Sequence, residues 1–330
     1  MNNATPHIAI VGAGMAGLSC AFHLQKGGLK TSVFDKSGGP SGRMSTRRGD
    51  EWQCDHGAPY FTARHPDFRA EVARWQQAGV AGLWEPRLQL LGEQPLQDPD
   101  QALDRFVGVP RMTAPAHLLA KDLALTPRST IHQVQRRADG WHLLSAEQGW
   151  LGTPFDSVLV ALPAPQAAPL LQQCAPALAA VADRVNMRGC WALMLRYAAA
   201  LDLPFDAAIV NQGPLRWVAR DGSKPGRSGI ETWVLHASAD WSAAHLEQDA
   251  DWVAAALIHA FGELGTPAPQ AWTVHRWRYA GTAHPLHQGC IWDATLNLGL
   301  CGDWLGDGTV EGAWLGGRQL AQQVLRSNNP

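Results

Sequence analysis

A glycine-rich turn near the start of the chain constrains its fold more than any other feature. Residues 8–11 form an apolar run of strand length, and a helical pattern covers residues 18–26. Between them lies Gly12-x-Gly14-x-x-Gly17. Gly12 permits a tight turn, Gly14 lets a phosphate group approach the backbone, and Gly17 lets the helix pack on the strand. The pattern predicts a phosphate-binding strand–turn–helix unit.

An acidic residue completes this unit. A second strand is predicted at residues 31–34, and Asp35 follows it, 23 residues after Gly12. A carboxylate at this place in a βαβ unit accepts hydrogen bonds from ribose hydroxyls. The spacing therefore favours dinucleotide binding over a tight turn that binds nothing. The unit alone does not distinguish NAD from FAD.

Length, composition and charge narrow the class of protein. The 330 residues correspond to roughly two domains. Apolar residues make up 46% and charged residues 17%, which excludes a disordered chain. The net charge of -2 offers no positive excess for nucleic acid or an anionic membrane.

Targeting and cysteine patterns point to the cytoplasm. We expect no signal peptide and no transmembrane helix, because the chain lacks a long apolar run. The six cysteines show neither CxxC pairs nor zinc spacing, so we expect reduced thiols, a cytoplasmic protein and no metal site. The sequence does not define an oligomeric state.

The remaining pattern predicts two sheets. Strands at residues 155–162 and 296–301 return to the first sheet, and a closing helix covers 310–325. Four runs between residues 187 and 279 carry Trp, Val, Thr and Leu at strand length, which favours a second, largely antiparallel sheet. Further predicted segments are a loop at 37–48, helices at 68–77, 113–123 and 249–264, a polar stretch at 98–104 and a strand at 141–145.

Two later segments resemble the flavin-containing amine oxidase superfamily. Residues 37–46 form a second glycine-rich arm that contains Gly42-Arg43, and Gly302-Asp303 follows the strand at 296–301. In that superfamily the arm and its arginine support the FAD pyrophosphate, and the aspartate binds the ribityl or pyrophosphate region. The resemblance also implies that backbone N–H groups of residues 310–313, at a helix N-terminus, approach the flavin pyrimidine edge.

A narrower resemblance, to the bacterial renalase-like branch, runs along nearly the whole chain. The motifs that carry it are Asp55-x-Gly57-Ala58-x-Tyr60-Phe61-Thr62-Ala63-Arg64, Gly108-x-Pro110-x-Met112-Thr113, Ala161-Leu162-Pro163-Ala164-Pro165-Gln166-Ala167, Ser223-Lys224-Pro225-Gly226-Arg227, Trp233-Val234-Leu235-His236-Ala237, His275-Arg276-Trp277-Arg278-Tyr279-Ala280, Cys301-Gly302-Asp303-Trp304 and Val310-Glu311-Gly312-Ala313-Trp314-Leu315. Two positions depart from the pattern. Ser41 replaces a glycine of the arm, and Pro59 replaces a glutamine near the flavin.

The resemblance implies an α/β fold similar to p-hydroxybenzoate hydroxylase and the amine oxidases. A discontinuous Rossmann-like FAD-binding domain is predicted at residues 1–58, 108–186 and 280–330. A substrate domain on a mainly antiparallel sheet is predicted at residues 59–107 and 187–279. FAD is expected to be non-covalent, because the arm offers no cysteine.

The activity implied by the resemblance is that of an FAD oxidase. Renalases take a hydride from 2- or 6-dihydro isomers of NAD(P) to flavin N5, and oxygen then reoxidises the flavin to give hydrogen peroxide. Such a dihydropyridine is already a hydride donor, so positioning matters more than a general base. No catalytic side chain is therefore assigned.

Amine oxidation is the near alternative, and a non-enzymatic FAD-binding protein is a further one. Amine oxidases commonly cage the amine between two tyrosines, and many keep a lysine near flavin N5. This chain has three tyrosines, Tyr60, Tyr197 and Tyr279. Lys224 lies in a Ser-Lys-Pro-Gly loop and is expected at the surface or on a phosphate.

The predicted site residues fall into two sets. Those expected at FAD are Gly12, Gly14, Met15, Ala16, Gly17, Asp35, Lys36, Gly42, Arg43, Met44, Ala58, Pro59, Ile131, Gly302, Asp303, Glu311, Gly312 and Ala313. Those expected to line the substrate pocket are Tyr60, Phe61, Thr62, Trp191, Arg220, His236 and Trp304. A structural role remains open for Glu311. For His236, Arg220 and His275, the alternative to a substrate contact is a role as hydrogen-bonded residues of the sheet between the domains.

Overall fold

The computed structural model describes residues 5–92 and 103–328. Its helices are α1 Met15–Lys26, α2 Pro66–Gln77, α3 Ala114–Ala120, α4 Ala164–Leu171, α5 Pro176–Asp183, α6 Ala239–Ala244, α7 Ala250–Gly262 and α8 Val310–Asn328. Its strands are β1 His7–Val11, β2 Lys30–Phe34, β3 Thr46–Gly49, β4 Trp52–Asp55, β5 Ala81–Leu83, β6 Leu88–Leu91, β7 Phe106–Gly108, β8 Ala124–Thr126, β9 Ile131–Arg137, β10 Gly140–Ser145, β11 Gly149–Trp150, β12 Ser157–Val160, β13 Met187–Tyr197, β14 Ala207–Val210, β15 Leu215–Arg220, β16 Glu231–Ala237, β17 Ala271–Thr282, β18 Cys290–Asp293 and β19 Leu298–Cys301.

The first sheet is parallel except at one edge. Its strand order is β18-β19-β12-β1-β2-β8, and only β18 runs antiparallel to its neighbour. Side chains of β1 alternate between its faces: Ile8 and Ile10 pack toward α1 and α8, while Ala9 and Val11 pack toward α4, α5 and the small sheet β11-β10-β9. Both faces are therefore covered, as a parallel sheet requires.

The second sheet has the order β17-β13-β16-β15-β14-β6 and is antiparallel except between β14 and β6. Leu193 and Leu195 of β13 share a core with α7, while Met194 belongs to the core shared with the first sheet. This arrangement confirms the predicted fold class, an α/β dinucleotide domain joined to a largely antiparallel sheet. The domain boundaries themselves remain a prediction.

The structure corrects two local predictions. The predicted loop at 37–48 is shorter, because strand β3 begins at Thr46. There β3 and β4 form an antiparallel hairpin in which Thr46 pairs with Asp55. The predicted helix at 113–123 ends at Ala120, since the chain then turns into β8, which extends the first sheet. The polar stretch at 98–104 lies mostly outside the described residues.

The described cysteines are all free, and Cys20, Cys54, Cys290 and Cys301 are buried, as predicted. Among residues 5–92 and 103–328, no helix is both long and apolar enough to cross a membrane. Within the same ranges, no group of three or more His, Cys, Asp or Glu side chains is arranged to hold a metal ion.

Candidate functional site: a cavity between the two sheets

One large cavity connects the glycine turn of the first sheet with strands of the second. Its volume is about 1510 Å³, above the roughly 300–1,000 Å³ of an ordinary small-molecule site. The turn after β1 and the end of β2 line one end, and β17 with parts of β13 and β16 lines the other. A cavity of this size has room for a long ligand and a second molecule beside it.

The glycine turn adopts the geometry that the sequence predicts. Gly12 has a φ of +108°, which L side chains rarely adopt. A Cβ on Gly17 would lie 1.9 Å from the Gly12 carbonyl oxygen, so only glycine lets α1 pass this close to the turn. A Cβ on Gly14 would meet no atom within 4 Å, and Gly14 lines the cavity. The space at Gly14 is where a pyrophosphate can touch the backbone at the N-terminus of α1.

Asp35 lies at the edge of this cradle and is already held in place. Its Oδ2 accepts a hydrogen bond from the Ala13 N–H at 2.6 Å, and its Oδ1 accepts one from the Ser37 N–H at 2.7 Å. Each carboxylate oxygen can accept a further bond. Asp35 thus braces the glycine turn while keeping capacity for ribose hydroxyls.

The departure at Ser41 has a backbone consequence. Ser41 has a φ of +135°, in the region that favours glycine. Its N–H donates to the Ala13 carbonyl at 3.0 Å, and it pairs with Gly14 in an isolated bridge. The contact with the glycine turn therefore holds a serine in a conformation that its Cβ disfavours.

We expect Ser41→Gly to raise the free energy of unfolding by about 1 kcal/mol, since relief of strain exceeds the entropy that glycine adds to the unfolded chain. Urea unfolding of the holoprotein measures this difference. Ser41→Ala is the matched control, because it removes the hydroxyl and keeps the Cβ. An equal gain in both variants would show that the hydroxyl, and not the backbone, is responsible.

Two predicted motifs from distant parts of the chain meet at the cavity. The Arg43 guanidinium makes a bidentate ion pair with the Asp303 carboxylate, with Nη1 2.9 Å from Oδ2. Arg43 Nη1 also donates to the Ala280 carbonyl at 3.2 Å. Planar fork-to-carboxylate pairing gives strong, oriented bonds. The pair joins the second glycine arm to the end of β19.

Most of the predicted FAD residues lie together. Those that line the cavity are Gly12, Gly14, Met15, Ala16, Asp35, Lys36, Gly42, Arg43, Met44, Ala58, Pro59, Ile131, Gly302, Asp303 and Ala313. Gly17 acts behind the turn by close packing, and Gly312 lies against Asp307. The Glu311 carboxylate accepts hydrogen bonds from the N–H groups of Arg64 and His65, at 2.9 and 2.5 Å, so it anchors the start of α8 to the segment before α2.

The structure separates most of the predicted substrate residues from the cavity. Of that set, His236 is the member found among the described lining residues. Phe61 packs against Phe68, Trp75 and Phe106 in the core, because the chain after Pro59 turns toward α2. Tyr60 packs against Trp84 and Trp217, and Thr62 is half-buried. The Trp191 indole donates to the His245 carbonyl, and the Trp304 indole donates to the Leu162 carbonyl. Arg220 pairs with Glu231.

Three histidines form the other wall: His236, which the sequence analysis placed in the pocket, His275, which it left open, and His56, which it did not assign. The His56 ring stacks on Trp277 with centroids 5.3 Å apart and meets His275 edge-on at 4.9 Å. The His56 carbonyl accepts bonds from His236 Nε2 at 3.0 Å and from Trp277 Nε1 at 2.8 Å. The motif Asp55-x-Gly57 and the motif on β17 marked both segments in the sequence. Neither motif showed that the rings of His56, His275 and Trp277 would meet.

Two of these histidines, His56 and His236, are neutral at pH 7. Burial, with the nearby His275 and Arg47, lowers the pKa of His56 to about 3. Burial lowers the pKa of His236 to about 4, despite its bond to the His56 carbonyl. Burial and the Arg47 charge also lower the pKa of His275. The part of the wall formed by His56 and His236 is therefore aromatic and uncharged.

Stability should fall as the pH drops below the unfolded histidine pKa of about 6.5. The unfolded chain binds protons on His56 and His236 that the folded chain takes up only near pH 3 to 4, so their contribution is present above 6.5 and is lost on acidification. Each histidine contributes a slope of at most about 1.4 kcal/mol per pH unit. Urea unfolding at about pH 7.5 and about pH 5 measures it. His236→Asn should show a smaller difference between the two; an unchanged difference contradicts the assignment.

A buried group of four charges lies behind this wall and corrects the prediction for Lys224. Lys224 is 2% exposed, and its Nζ lies 3.0 Å from Asp55 Oδ2 and 3.6 Å from Asp221 Oδ1. Arg227 pairs with both carboxylates as well. Lys224 is neither at the surface nor free for a phosphate, because the loop after β15 folds inward onto β4.

The four charges balance, and they fix β4 in place. Asp55 also accepts bonds from the Thr46 hydroxyl at 2.6 Å and the Met112 N–H at 3.1 Å. Although burial alone opposes ionisation, Lys224 and Arg227 hold the pKa of Asp55 well below its usual range. Burial and the Asp55 charge raise the pKa of Asp221 to about 6.

Sequence comparison matches part of the chain. Residues 10–75 match a family described as an NAD(P)-binding Rossmann-like domain. An L-amino-acid oxidase of Daboia russelii is 37% identical over 71 residues, 21% of this chain and 14% of that protein. The L-amino acid oxidase Cdc18 of Crotalus durissus cumanensis is 35% identical over 69 residues, again 21% and 14%. The chain thus aligns with a small part of these relatives.

Structural comparison matches nearly the whole chain. Cyclohexylamine oxidase from Brevibacterium oxydans IH-35A has a TM-score of 0.74 at 11% identity, covering 99% of this chain and 100% of that one. A putrescine oxidase variant has a TM-score of 0.72 at 13% identity, covering 98% and 100%. These likenesses concern the fold.

Fold and cavity together define a protein with the flavin amine oxidase fold, built on a Rossmann-like dinucleotide domain. The comparisons agree with FAD, the cofactor predicted from the sequence.

Proposed function

We propose that the chain is an FAD-dependent oxidase that takes a hydride from 2- or 6-dihydro isomers of NAD(P). The observation that carries this proposal is the wall of the cavity opposite the glycine turn. It presents flat aromatic rings, neutral histidines and the Arg47 guanidinium, and no carboxylate among its described residues. Such a wall suits a planar, anionic substrate that is already a hydride donor.

The residues of the cavity fit FAD. The open backbone at Gly14 and the adjoining Gly42 suit a pyrophosphate, and Asp35 suits a ribose. Arg43 and Asp303 close the cradle between the two sheets. When bound, FAD accepts a hydride and passes the electrons to oxygen, which yields hydrogen peroxide.

The chain's own residues would hold the donor ring in place. His56 and Trp277 form a stacked pair that lines the cavity, and His236 and His275 border it. A planar dihydropyridine can pack on such rings. Because a dihydropyridine needs no deprotonation before hydride transfer, neutral histidines that act by packing are sufficient.

Amine oxidation is the second candidate, and the structural neighbours named as amine oxidases favour it. Two features of the structure oppose it. Tyr279 lines the cavity, whereas Tyr60 packs on Trp217 and Tyr197 lies in the core of the second sheet, so the described lining offers no pair of tyrosines. Lys224 is held by Asp55 and Asp221.

Anaerobic stopped-flow reduction of the bound flavin distinguishes the two. We expect rapid bleaching by dihydro-NAD(P) isomers, with a rate nearly independent of pH between about 6 and 8, because His56 and His236 stay neutral there. Amines must lose a proton first, so their rate would rise with pH. Rapid bleaching by simple amines and none by the dihydropyridines would overturn the proposal.

A further inference from the structure

A row of side chains crosses the second sheet on the face that borders the cavity. Ala192 of β13 lies opposite His275 of β17 and opposite His236 of β16, so the three side chains share one face. Neighbouring strands are about 4.8 Å apart, which leaves the two histidines about 10 Å apart with only a methyl group between them. Both histidines line the cavity.

His56 bridges the gap between these two histidines. Its ring stacks on Trp277 and meets His275 edge-on, and its carbonyl accepts hydrogen bonds from His236 and Trp277. His56 is 4% exposed and His236 is 9% exposed, and both line the cavity. The contacts therefore hold two nearly buried imidazoles next to each other.

The bond to His56 assigns the proton of His236. A carbonyl oxygen only accepts, so His236 Nε2 carries the hydrogen, and in a neutral ring Nδ1 is then an acceptor. His236 Nδ1 has no hydrogen-bond partner among residues 5–92 and 103–328, and it is not enclosed by protein atoms. Since His236 lines the cavity, this nitrogen offers a lone pair to a ligand.

The surroundings of His56 favour the opposite polarity. Its Nδ1 is buried without a partner in the described part of the chain. A buried N–H without an acceptor is rarer in proteins than a buried acceptor without a donor, so the hydrogen of the neutral ring belongs on Nε2. His56 Nε2 has no partner among the described residues either, but it is not enclosed. The ring thus offers an N–H donor to the cavity that it lines.

A neutral donor beside a neutral acceptor matches a primary carboxamide. The carboxamide oxygen accepts from His56 Nε2–H, and its NH2 group donates to His236 Nδ1. A carboxylate has no donor for His236, and an ammonium group has no acceptor for His56. Either group would leave a nearly buried ring nitrogen unpaired, which costs binding free energy.

We propose that His56 and His236 together bind the carboxamide of the dihydropyridine substrate. This inference rests on the proposed function and deepens it, because it names the side chains that distinguish a nicotinamide ring from nicotinic acid and from an amine. Neither side chain takes part in hydride transfer. They orient the ring, since two hydrogen bonds to one substituent restrict its rotation.

The test separates the hydrogen bond of His56 from its ring contact. Oxidised NAD and its analogues with a 3-acetyl or 3-methyl group in place of the carboxamide donate no hydride. Their binding to the holoprotein is followed by tryptophan fluorescence, because Trp277 lies in the wall. His56→Phe keeps an aromatic ring and removes the N–H. We expect the Kd of NAD and of the acetyl analogue to rise about tenfold and that of the methyl analogue to stay unchanged. His132→Phe is the matched control, since His132 is exposed and lies outside the lining.

The acetyl analogue tests His236 in the wild type, so this measurement does not depend on whether a variant folds. The analogue keeps the carbonyl and lacks the NH2 group. We expect it to bind about tenfold more weakly than NAD, because His236 Nδ1 is left without a donor. Equal affinity of the two ligands, or failure of NAD to bind, contradicts the proposed carboxamide site.

The outcomes distinguish this inference from the proposed function. A loss confined to the two carbonyl ligands supports the carboxamide site even if no dihydropyridine reduces the flavin, in which case only the proposed function fails. An equal loss for all three ligands overturns the site, and rapid flavin reduction by dihydropyridines then leaves the proposed function in place. Equal weakening of ADP-ribose in His56→Phe also overturns it, by assigning the adenine to these histidines. Loss of FAD from His56→Phe but not from His132→Phe does so by assigning His56 to the cofactor.

Discussion

Replacing Lys224 with methionine should lower the free energy of unfolding by about 3–5 kcal/mol. The change keeps the volume of the side chain but removes one of two buried cations. Asp55 and Asp221 then share only Arg227, and a carboxylate is left buried without compensation. Urea unfolding measures the loss, and the insoluble fraction on expression measures it if the variant does not fold.

A second substitution distinguishes loss of charge balance from loss of packing as the cause of the lower stability. Asp221→Asn in the Lys224→Met background restores a one-to-one balance between Asp55 and Arg227, so it should recover part of the stability. Lys121→Met is the matched control, because Lys121 is exposed, and should change stability by less than about 0.5 kcal/mol. Failure of the second substitution to recover any stability would contradict a charge-balance origin.

Gly14→Val should abolish tight FAD binding and leave the apoprotein folded. A Cβ at this position meets no protein atom within 4 Å, and its φ of -76° is open to valine. The side chain would instead occupy the space of the pyrophosphate. Overpacking of about 3 kcal/mol corresponds to about a hundredfold loss of affinity.

The flavin-to-protein absorbance ratio and the thermal midpoint with and without added FAD measure this effect. The wild type should gain stability on addition of FAD, and the variant should not. Gly152→Val is the control, since Gly152 is also free of neighbours within 4 Å and lies outside the cavity lining. Gly17→Ala should instead damage the fold, because its Cβ would strike the Gly12 carbonyl. Full flavin occupancy in Gly14→Val would show that the turn does not bind the pyrophosphate.

The sequence predicted those parts of the site that depend on local geometry. Gly12, Gly14 and Asp35 lie within one βαβ unit, whose backbone path is fixed by the strand–turn–helix pattern. Their mutual placement follows from a few dozen residues of chain. Ser41 was identified differently, as a departure from the glycine of the amine oxidase arm, and the structure gives it a φ of +135°.

The parts that it missed depend on contacts between distant segments. Lys224 lies in a loop whose composition is typical of a surface, and its partner Asp55 is 169 residues away. His56 and His275 meet only because β4 and β17 border the same cavity. Phe61 was predicted to line the pocket, but a single turn of the chain after Pro59 directs it into the core.

The Arg43–Asp303 pair has a consequence for how the protein is made. The two residues are separated by 260 positions, and β19 joins the first sheet through β12. During synthesis Arg43 leaves the ribosome long before its partner exists, and the first sheet stays open along β12 until β19 arrives. Contacts of such high sequence separation form late and slowly. A nascent chain that has not reached residue 303 cannot close its cradle, whereas the second sheet, whose last strand β17 ends at Thr282, can form before it.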